Sequence, residues 1–431
     1  MAMETTNEYA QGIREHLPQF SLHVLLVFAT GLTIGSERAV VPVLGRDVLG
    51  VTSLFVIGSF VVSFGIVKSL INLYAGKWGE EYGRKPVLIL GWATALPLPI
   101  ILIFAPNWWW ITLGNIFLGI NQGLTWSMAV NAKIDLAGPE QRGIAVGIDE
   151  AFGYTGLAVG AWITGVIAAQ TSLRPEPFYF LAAVVVLAFL ISISLIKETV
   201  QYARAEGDDE HHDANLPFDE VLKRATYGDR TLFAAAQAGH IENFVDVLFW
   251  IGVPIYLTSQ GLGIAAVGVV VGVHSAMYFL QIGTGGLADR IGRRPPVIAG
   301  MFVAGVGVLG MTVVTEYLLW AVMAGVAGVG MALLYPNLMT VPGDAAHPTW
   351  RASGMGVYRM WRDSGYAVGA ILIGLAMQFI NIKAAFYMTG LLMFVSGGLV
   401  HLWMEETHPD FGTHEPPAPA PETPNRTTSE D

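Results

Sequence analysis

Long apolar runs, each about the length a helix needs to cross the ~30 Å hydrocarbon core of a bilayer, recur along this chain. They fall at 21–44, 53–75, 87–105, 109–131, 143–168, 178–196, 232–256, 264–284, 296–314, 317–339, 353–378 and 385–403. In lipid a helix satisfies its backbone internally, so the pattern predicts twelve transmembrane helices in an all-α integral membrane protein. The longest gap between runs, 197–230, splits them six and six. Five regions follow: a polar N-terminus (1–20), a six-helix bundle (21–196), a linker (197–230), a second six-helix bundle (231–404) and a tail (405–431). In the linker, Phe218, Val221, Leu222 and Ala225 recur at helical spacing, which predicts a short helix lying along the membrane surface. The tail is rich in Pro, Glu and Thr from Thr407 onward and is expected to be disordered.

The halves repeat one another. Gly285 to Pro296 reads GGLADRIGRRPP, and Gly76 to Pro86 reads GKWGEEYGRKP; 285 − 76 is 209. That offset also relates Glu80 to Asp289, Gly83 to Gly292, Arg84 to Arg293, Asp135 to Asp344, Arg142 to Arg351 and Gly156 to Gly365. One interval holding across loops and spans marks two units built on one plan. Both the fifth and eleventh runs carry a GxxxG step, Gly156 with Gly160 and Gly365 with Gly369, which lets helix backbones approach closely.

Composition agrees with a chain that mostly faces something other than water. Of 431 residues 53% are hydrophobic and 13% charged, and the mean hydropathy is +0.52, whereas soluble domains carry about 25% charged residues. The net charge of −11 argues against a nucleic-acid partner. With no cysteine there is no thiol nucleophile or thiolate metal site. Residues 1–20, with Glu4, Glu8, Arg14 and Glu15, do not read as a cleavable leader. Loop Lys and Arg fall on one side, among them Lys77, Arg84, Lys85, Arg142, Lys223, Arg290, Arg293 and Arg351; the other side gets Arg46, Arg174 and Lys383. This bias predicts a cell-membrane protein with both termini and the linker in the cytoplasm.

Twelve spans in two halves, with a basic turn after the second and the eighth, resemble the major facilitator superfamily, in its 12-span drug/solute:proton antiporter-like branch. The loop signature of that family, G-x-L-A-D-R-x-G-R-R, matches residues 285–294 at every fixed position; in residues 76–85, Trp78, Glu80 and Glu81 depart from it. The resemblance implies two pseudo-symmetric bundles related by an axis along the membrane normal, with a substrate site between them near the bilayer midplane. Two departures count against a drug–proton exporter: Asn115 stands where such proteins carry an arginine in span four, and span five has no proline.

Ionisable groups inside a bilayer cost about 2.5–3.5 kcal/mol each on insertion scales, so they face a cavity or a partner. Here Glu37, Arg38, Lys68, Asp149, Glu150, His240, Glu242, Asp246, His274, Arg359, Arg362 and Asp363 fall within spans. Glu242 and Asp246 lie four apart, on one helix face, where two close carboxylates would share a proton. Glu37 is the repeat partner of Asp246, and spans one and seven line the cavity in the family. Glu37, Glu242 and Asp246, with His240 beside them, are therefore the candidate proton-coupling set; the alternative is that they pair with Arg38 or bond to neighbouring helices. Asp149 and Glu150 could latch the halves together against Arg359 and Arg362. Those arginines could instead clamp an anionic substrate, or Arg359 could pair with Asp363 within its own helix. Lys68 has Asp363 as its nearest acidic candidate, because spans two and eleven abut in the family; it serves as an ion-pair partner or a substrate contact. In the turns, Glu80 and Asp289 are expected to cap the helices starting at Arg351 and Arg142, Gly76 and Gly285 to permit the tight turn, and Arg84 and Arg293 to hold the loops at the anionic leaflet, which makes all of these gating parts. Asn121, Gln122, Trp126, Asn131, Tyr335 and Asn337, with Arg38, are candidate cavity contacts.

His211 and His212 among acids are more simply a solvated linker than a metal site, and Asn425-Arg426-Thr427 is a sequon on the wrong side to be used. No Walker-type element, nucleophile constellation or metal-ligand cluster is found in the spans, so no enzyme activity and no cofactor is expected. The sequence predicts a monomeric secondary transporter moving a small solute by alternating access with protons. The alternatives are a non-transporting sensor or scaffold and a carrier of an organic anion.

Overall fold

A computed structural model describes residues 9–51, 54–209, 216–262, 264–347 and 349–414. His211, His212 and the sequon at Asn425 lie outside them. The described residues form helices α1 (Leu17–Asp47), α2 (Leu54–Glu81), α3 (Arg84–Ala95), α4 (Pro97–Phe104), α5 (Trp108–Ala137), α6 (Arg142–Gln170), α7 (Glu176–Ser194), α8 (Val200–Asp209), α9 (Phe218–Lys223), α10 (Arg230–Val247), α11 (Val253–Ser259), α12 (Ile264–Ala276), α13 (Gln281–Ile291), α14 (Arg294–Gly310), α15 (Tyr317–Ala345), α16 (Arg351–Phe379) and α17 (Ile382–Trp403). Among the described residues there is no strand. Among the described residues, nine helical stretches are long and apolar enough to cross a membrane. The other three expected spans fall on α5, on the 17-residue α14 and on α16. Helix α5 carries Asn115, Asn121, Gln122 and Asn131, and α16 carries Arg359, Arg362 and Asp363; these polar groups lower their apolarity.

The 209-residue interval carries into the helix bounds. Adding 209 to Arg142–Gln170 gives 351–379, the bounds of α16, and adding it to Trp108–Ala137 gives 317–346, against Tyr317–Ala345 for α15. Helix ends obey local rules. Asn107, Asp229 and Asn381 accept hydrogen bonds from the first amides of α5, α10 and α17. Gly83 and Gly292 take φ of 98° and 94° in the two basic turns, a region where side chains other than glycine are strained.

In the first half α1 packs on α6, and α2 and α3 on α5; in the second α10 packs on α16, and α14 on α15 and α17. The halves meet where α2 lies along α16 and α6 along α13.

Two expectations fail here. The segment around α9 does not present its apolar positions as one free face. Its apolar face is buried in the protein: Val221 packs against Ala346 and Trp350, and Ala225 with Leu232, Ala345 and Val357. Residues 405–414, expected to be disordered, are docked. Glu406 accepts bonds from the amides of Arg293 and Arg294 (2.7 and 3.1 Å), and His414 pairs with Asp229 at 3.2 Å. Burial works against charge at both ends of that pair. The mutual attraction wins, holding Asp229 below and His414 above their ordinary pKa values.

Candidate functional site

Buried charges converge where the two halves meet. Helix α10 turns Glu242 and Asp246 to the face that α16 covers. The α16 side chain Arg362 reaches Glu242 with Nε at 2.6 Å and Asp363 with Nη1 at 2.8 Å, and its guanidinium lies 3.9 Å above the Tyr335 ring. Asp363 also receives Lys68 Nζ (3.0 Å) and Asn72 Nδ2 (2.7 Å) from α2, across the interface. One turn along α16, Arg359 pairs with Glu150 of α6 at 3.0 Å, again across the interface. Glu150 accepts two further bonds, from Trp126 Nε1 (3.1 Å) and the Tyr335 hydroxyl (2.8 Å). Every one of these groups is buried. Desolvating them is offset only by pairing this complete.

Two carboxylates in the spans stand apart. Among the described residues Glu37 and Asp246 have no Lys or Arg ion pair, whereas Asp149, Glu150, Glu242 and Asp363 each have one. They are repeat partners, since 37 + 209 is 246. Asp246 accepts from the hydroxyls of Tyr278 and Tyr366, the latter at 3.2 Å, with His274 Nε2 3.8 Å away. Glu37 is fully buried and makes no hydrogen bond of ordinary geometry, with Asn115 beside it.

Several sequence expectations are corrected by this geometry. Glu242 and Asp246 do not share a proton as a close pair, because Arg362 occupies one and Tyr278 the other. No contact brings Glu37 to either of them. His240 is not beside them: its Nδ1 faces the Trp361 carbonyl (3.0 Å) and Ser364 Oγ (2.9 Å), and it lines an apolar groove of about 410 Å³ with Phe233, Trp361 and Leu392. Arg359 chooses Glu150 rather than Asp363 of its own helix. Asp149 makes no ion pair across the interface; Lys133 of α5 holds it at 2.5 Å. Asn121 and Gln122 point into the first half, to the Gly91 carbonyl (2.9 Å) and to Thr33 (2.8 Å). Asn337 bonds within its own helix, to Leu333. Asn131 is buried on α5.

A second constellation closes the end of the molecule that bears the basic turns. Arg84 and Arg351 both reach Asp135 (2.9 and 3.3 Å), and Arg293 and Arg142 both reach Asp344 (2.9 and 3.1 Å), so all three residue types repeat at 209. Arg84 and Arg293 are therefore buried ion-pair partners and do not face the lipid surface. Asp289 accepts from the amides of Gly143 (3.0 Å) and Ile144 (2.9 Å) at the start of α6. Glu80 accepts from the Ser353 amide at 2.8 Å at the start of α16. The approach is close enough that a Cβ on Gly76 would lie 1.9 Å from the Ala352 carbonyl, and one on Gly285 2.3 Å from that of Gly143.

Between the two triads sits Glu206 of the linker helix α8. It takes Arg351 Nη1 on both oxygens (2.8 and 3.0 Å), Arg142 Nη2, and Gln11 Nε2 at 3.2 Å. Burial alone would favour its neutral form, but the two guanidinium groups hold its pKa at about 2. Sequence reading missed Glu206, which stands in an acidic stretch with nothing to single it out. It also missed Glu198, which caps the amides of Arg84 and Lys85 (2.8 and 3.0 Å) as Glu406 caps their repeats. A Glu-Thr pair after both the sixth and the twelfth runs was the available signal.

The chain matches the family model of the Major Facilitator Superfamily over residues 26–363 and again over 241–428, and it belongs to that family of membrane transporters. Its relatives are transporters rather than enzymes. The class E tetracycline resistance protein of Escherichia coli is 26% identical over 324 residues, spanning 72% of this chain and 76% of that one. The uncharacterized MFS-type transporter YhhS of E. coli K12 is 24% identical over 397 residues, 87% of this chain and 89% of its own. Among solved structures, the proton:xylose symporter XylE superposes with a TM-score of 0.72 at 15% identity, covering 90% of this chain and 96% of that one. FucP in the outward conformation gives 0.72 at 14%, covering 90% and 98%.

Proposed function

We propose that this protein is a proton-coupled secondary transporter that moves a small solute by alternating access. Twelve membrane helices form two six-helix bundles, and both termini and the linker lie in the cytoplasm. The observation that carries this reading is the set of ion pairs spanning the two halves, Lys68 with Asp363 and Arg359 with Glu150, beside two buried carboxylates that have no Lys or Arg ion pair among the described residues. Ion pairs across a rocking interface make and break as the halves move. A buried, unpaired carboxylate costs several kcal/mol that a bound proton removes, so Asp246, with Glu37 as its counterpart, is the proton carrier, and Glu242 is released when Arg362 moves. The proton:sugar symporters that share the fold, and the tetracycline resistance relatives, support the same class of action.

In this scheme the Arg84–Asp135–Arg351 and Arg293–Asp344–Arg142 triads, with Glu80 and Asp289, seal the cytoplasmic side while the opposite side is open. The test begins with a thermal-shift screen of the purified protein against a metabolite panel at two pH values. Proteoliposome flux of the solute found is then measured across imposed pH gradients. Asp246→Asn and Glu242→Gln are expected to abolish acceleration by the gradient while leaving solute binding; gradient-driven flux unchanged in both would sink the reading.

A further inference from the structure

Four of the five cations embedded in the middle of the spans are neutralised: Lys68 by Asp363, Lys133 by Asp149, Arg359 by Glu150 and Arg362 by Glu242 and Asp363. The fifth, Arg38 of α1, makes no hydrogen bond or ion pair to any described residue, and its Nη1 is shut off from solvent. Its sequence neighbour Glu37 attracts it but makes no ion pair or hydrogen bond with it. Successive side chains on a helix diverge by about 100°, and the Glu37 carboxylate goes to the Asn115 side. The guanidinium goes the other way, to lie 4.9 Å from the centroids of both Phe60 and Phe64 on α2. Lys68 stands 5.9 Å from the same Phe64 ring and 5.9 Å from Tyr366 of the opposite half. Tyr366 in turn stacks on the part-exposed Trp250, with centroids 5.2 Å apart and planes at 14°.

The feature is confined to one half. Position 247, the repeat of 38, is a buried Val. A guanidinium keeps its charge at any working pH, so its need for a hydrogen-bonding acceptor is permanent. Ring faces partly compensate it, less than a carboxylate would.

Taking the transporter reading as given, we infer that Arg38, in its cage of Phe60 and Phe64, is the anion-binding end of the substrate site, and that the substrate is an aromatic monocarboxylate. Its carboxylate docks on the guanidinium that has no hydrogen-bond partner, and its ring lies among Phe64, Tyr366 and Trp250. One carboxylate supplies the two acceptor oxygens that the one guanidinium lacks. A cation would meet Arg38 and Lys68 together.

The test uses the full chain purified in detergent, titrated calorimetrically with benzoate, 1-naphthoate and indole-3-acetate, and with benzamide and 1-naphthamide as neutral isosteres. At least one carboxylate is expected to bind and raise the melting temperature, and the amides are not. Arg38→Gln should weaken that binding about ten- to hundredfold, and Arg38→Lys less. Phe64→Leu, which keeps the charge, gives a second variant should Arg38→Gln fail to fold; it should weaken 1-naphthoate more than benzoate. Failure of all three carboxylates to bind, or binding that neither Arg38→Gln nor Phe64→Leu alters, overturns the inference. A bound carboxylate that no pH gradient moves through proteoliposomes would leave this site standing and remove the transport reading. Gradient-driven flux of some other solute, unaffected by Arg38→Gln, would do the reverse.

Discussion

The residue-scale feature that decides most here is the choice of partner by each buried charge. Spacing along a helix shows which groups share a face; it does not show which neighbour arrives there. Glu242 and Asp246 were legible as one acidic face, but the insertion of Arg362 between α10 and the centre was not, so their separate partners stayed hidden. Lys68 with Asp363 and Glu150 with Arg359 were legible, because resemblance brought spans two and eleven together and the repeat brought 150 onto 359. The phenols of Tyr154, Tyr278 and Tyr366, which surround Arg362 and Asp246, were not, since an aromatic in an apolar run looks like packing. Charge swapping tests the clearest of these pairs. Glu150→Arg and Arg359→Glu singly should each destabilise the protein by about 3–5 kcal/mol by stranding a buried charge. The double exchange should recover most of that in thermal denaturation. Recovery of stability without recovery of flux would assign the pair to structure alone.

At the scale of the element, the turns and the linker helix act as one unit. Gly83 and Gly292 set the turns, Asp289 and Glu80 cap the helices of the opposite half, and α8 brings Glu206 to both arginines. The caps and the glycines were visible in sequence because they repeat; α8 was not, because a linker has no repeat to be compared with. The ion pairs of Glu206 have a defined pH window. Its folded pKa of about 2 lies below the ordinary 4.5, so its contribution is complete above 4.5 and is lost only as pH falls towards 2. Any pH dependence of flux between 5 and 8 must then arise elsewhere, and Glu206→Gln should shift that profile little. The same variant should increase labelling of the cytoplasmic face by a membrane-impermeant reagent at a cysteine placed at Thr349, in a chain that has no cysteine of its own. The docked tail behaves oppositely. His414 is raised and so binds Asp229 fully below its ordinary value of 6.5. That contribution is lost as pH rises through the folded value, so amide exchange across 405–414 should quicken from pH 6 to pH 9.

For the whole molecule, the doubled plan was the most legible property. One interval fixed the halves, the turns and the bounds of α15 and α16. What sequence could not give is which of the differences between the copies lie at their shared interface. The Asp135 and Asp344 triads keep their symmetry, while Arg38, Lys68 and Asp149 have no charged counterpart of like sign at 247, 277 and 358, which are Val, Met and Tyr. A seal that two halves make together has reason to remain symmetric, and a site that holds an asymmetric solute has none. Exchanging the Asp135 and Asp344 triads wholesale should be tolerated far better than moving Arg38 to position 247, as measured by melting temperature and by binding of the carboxylate probes.

The position of α8 has a consequence for where the polypeptide can be interrupted. Glu206 comes before residues 210–215, so a protease site inserted there would leave the clasp attached to the first bundle and able to grip the second after cleavage. A break introduced just after Glu198 would instead strand α8 on the wrong fragment. Two separately expressed pieces divided at the later point should therefore reassociate into a working carrier, and pieces divided at the earlier one should not.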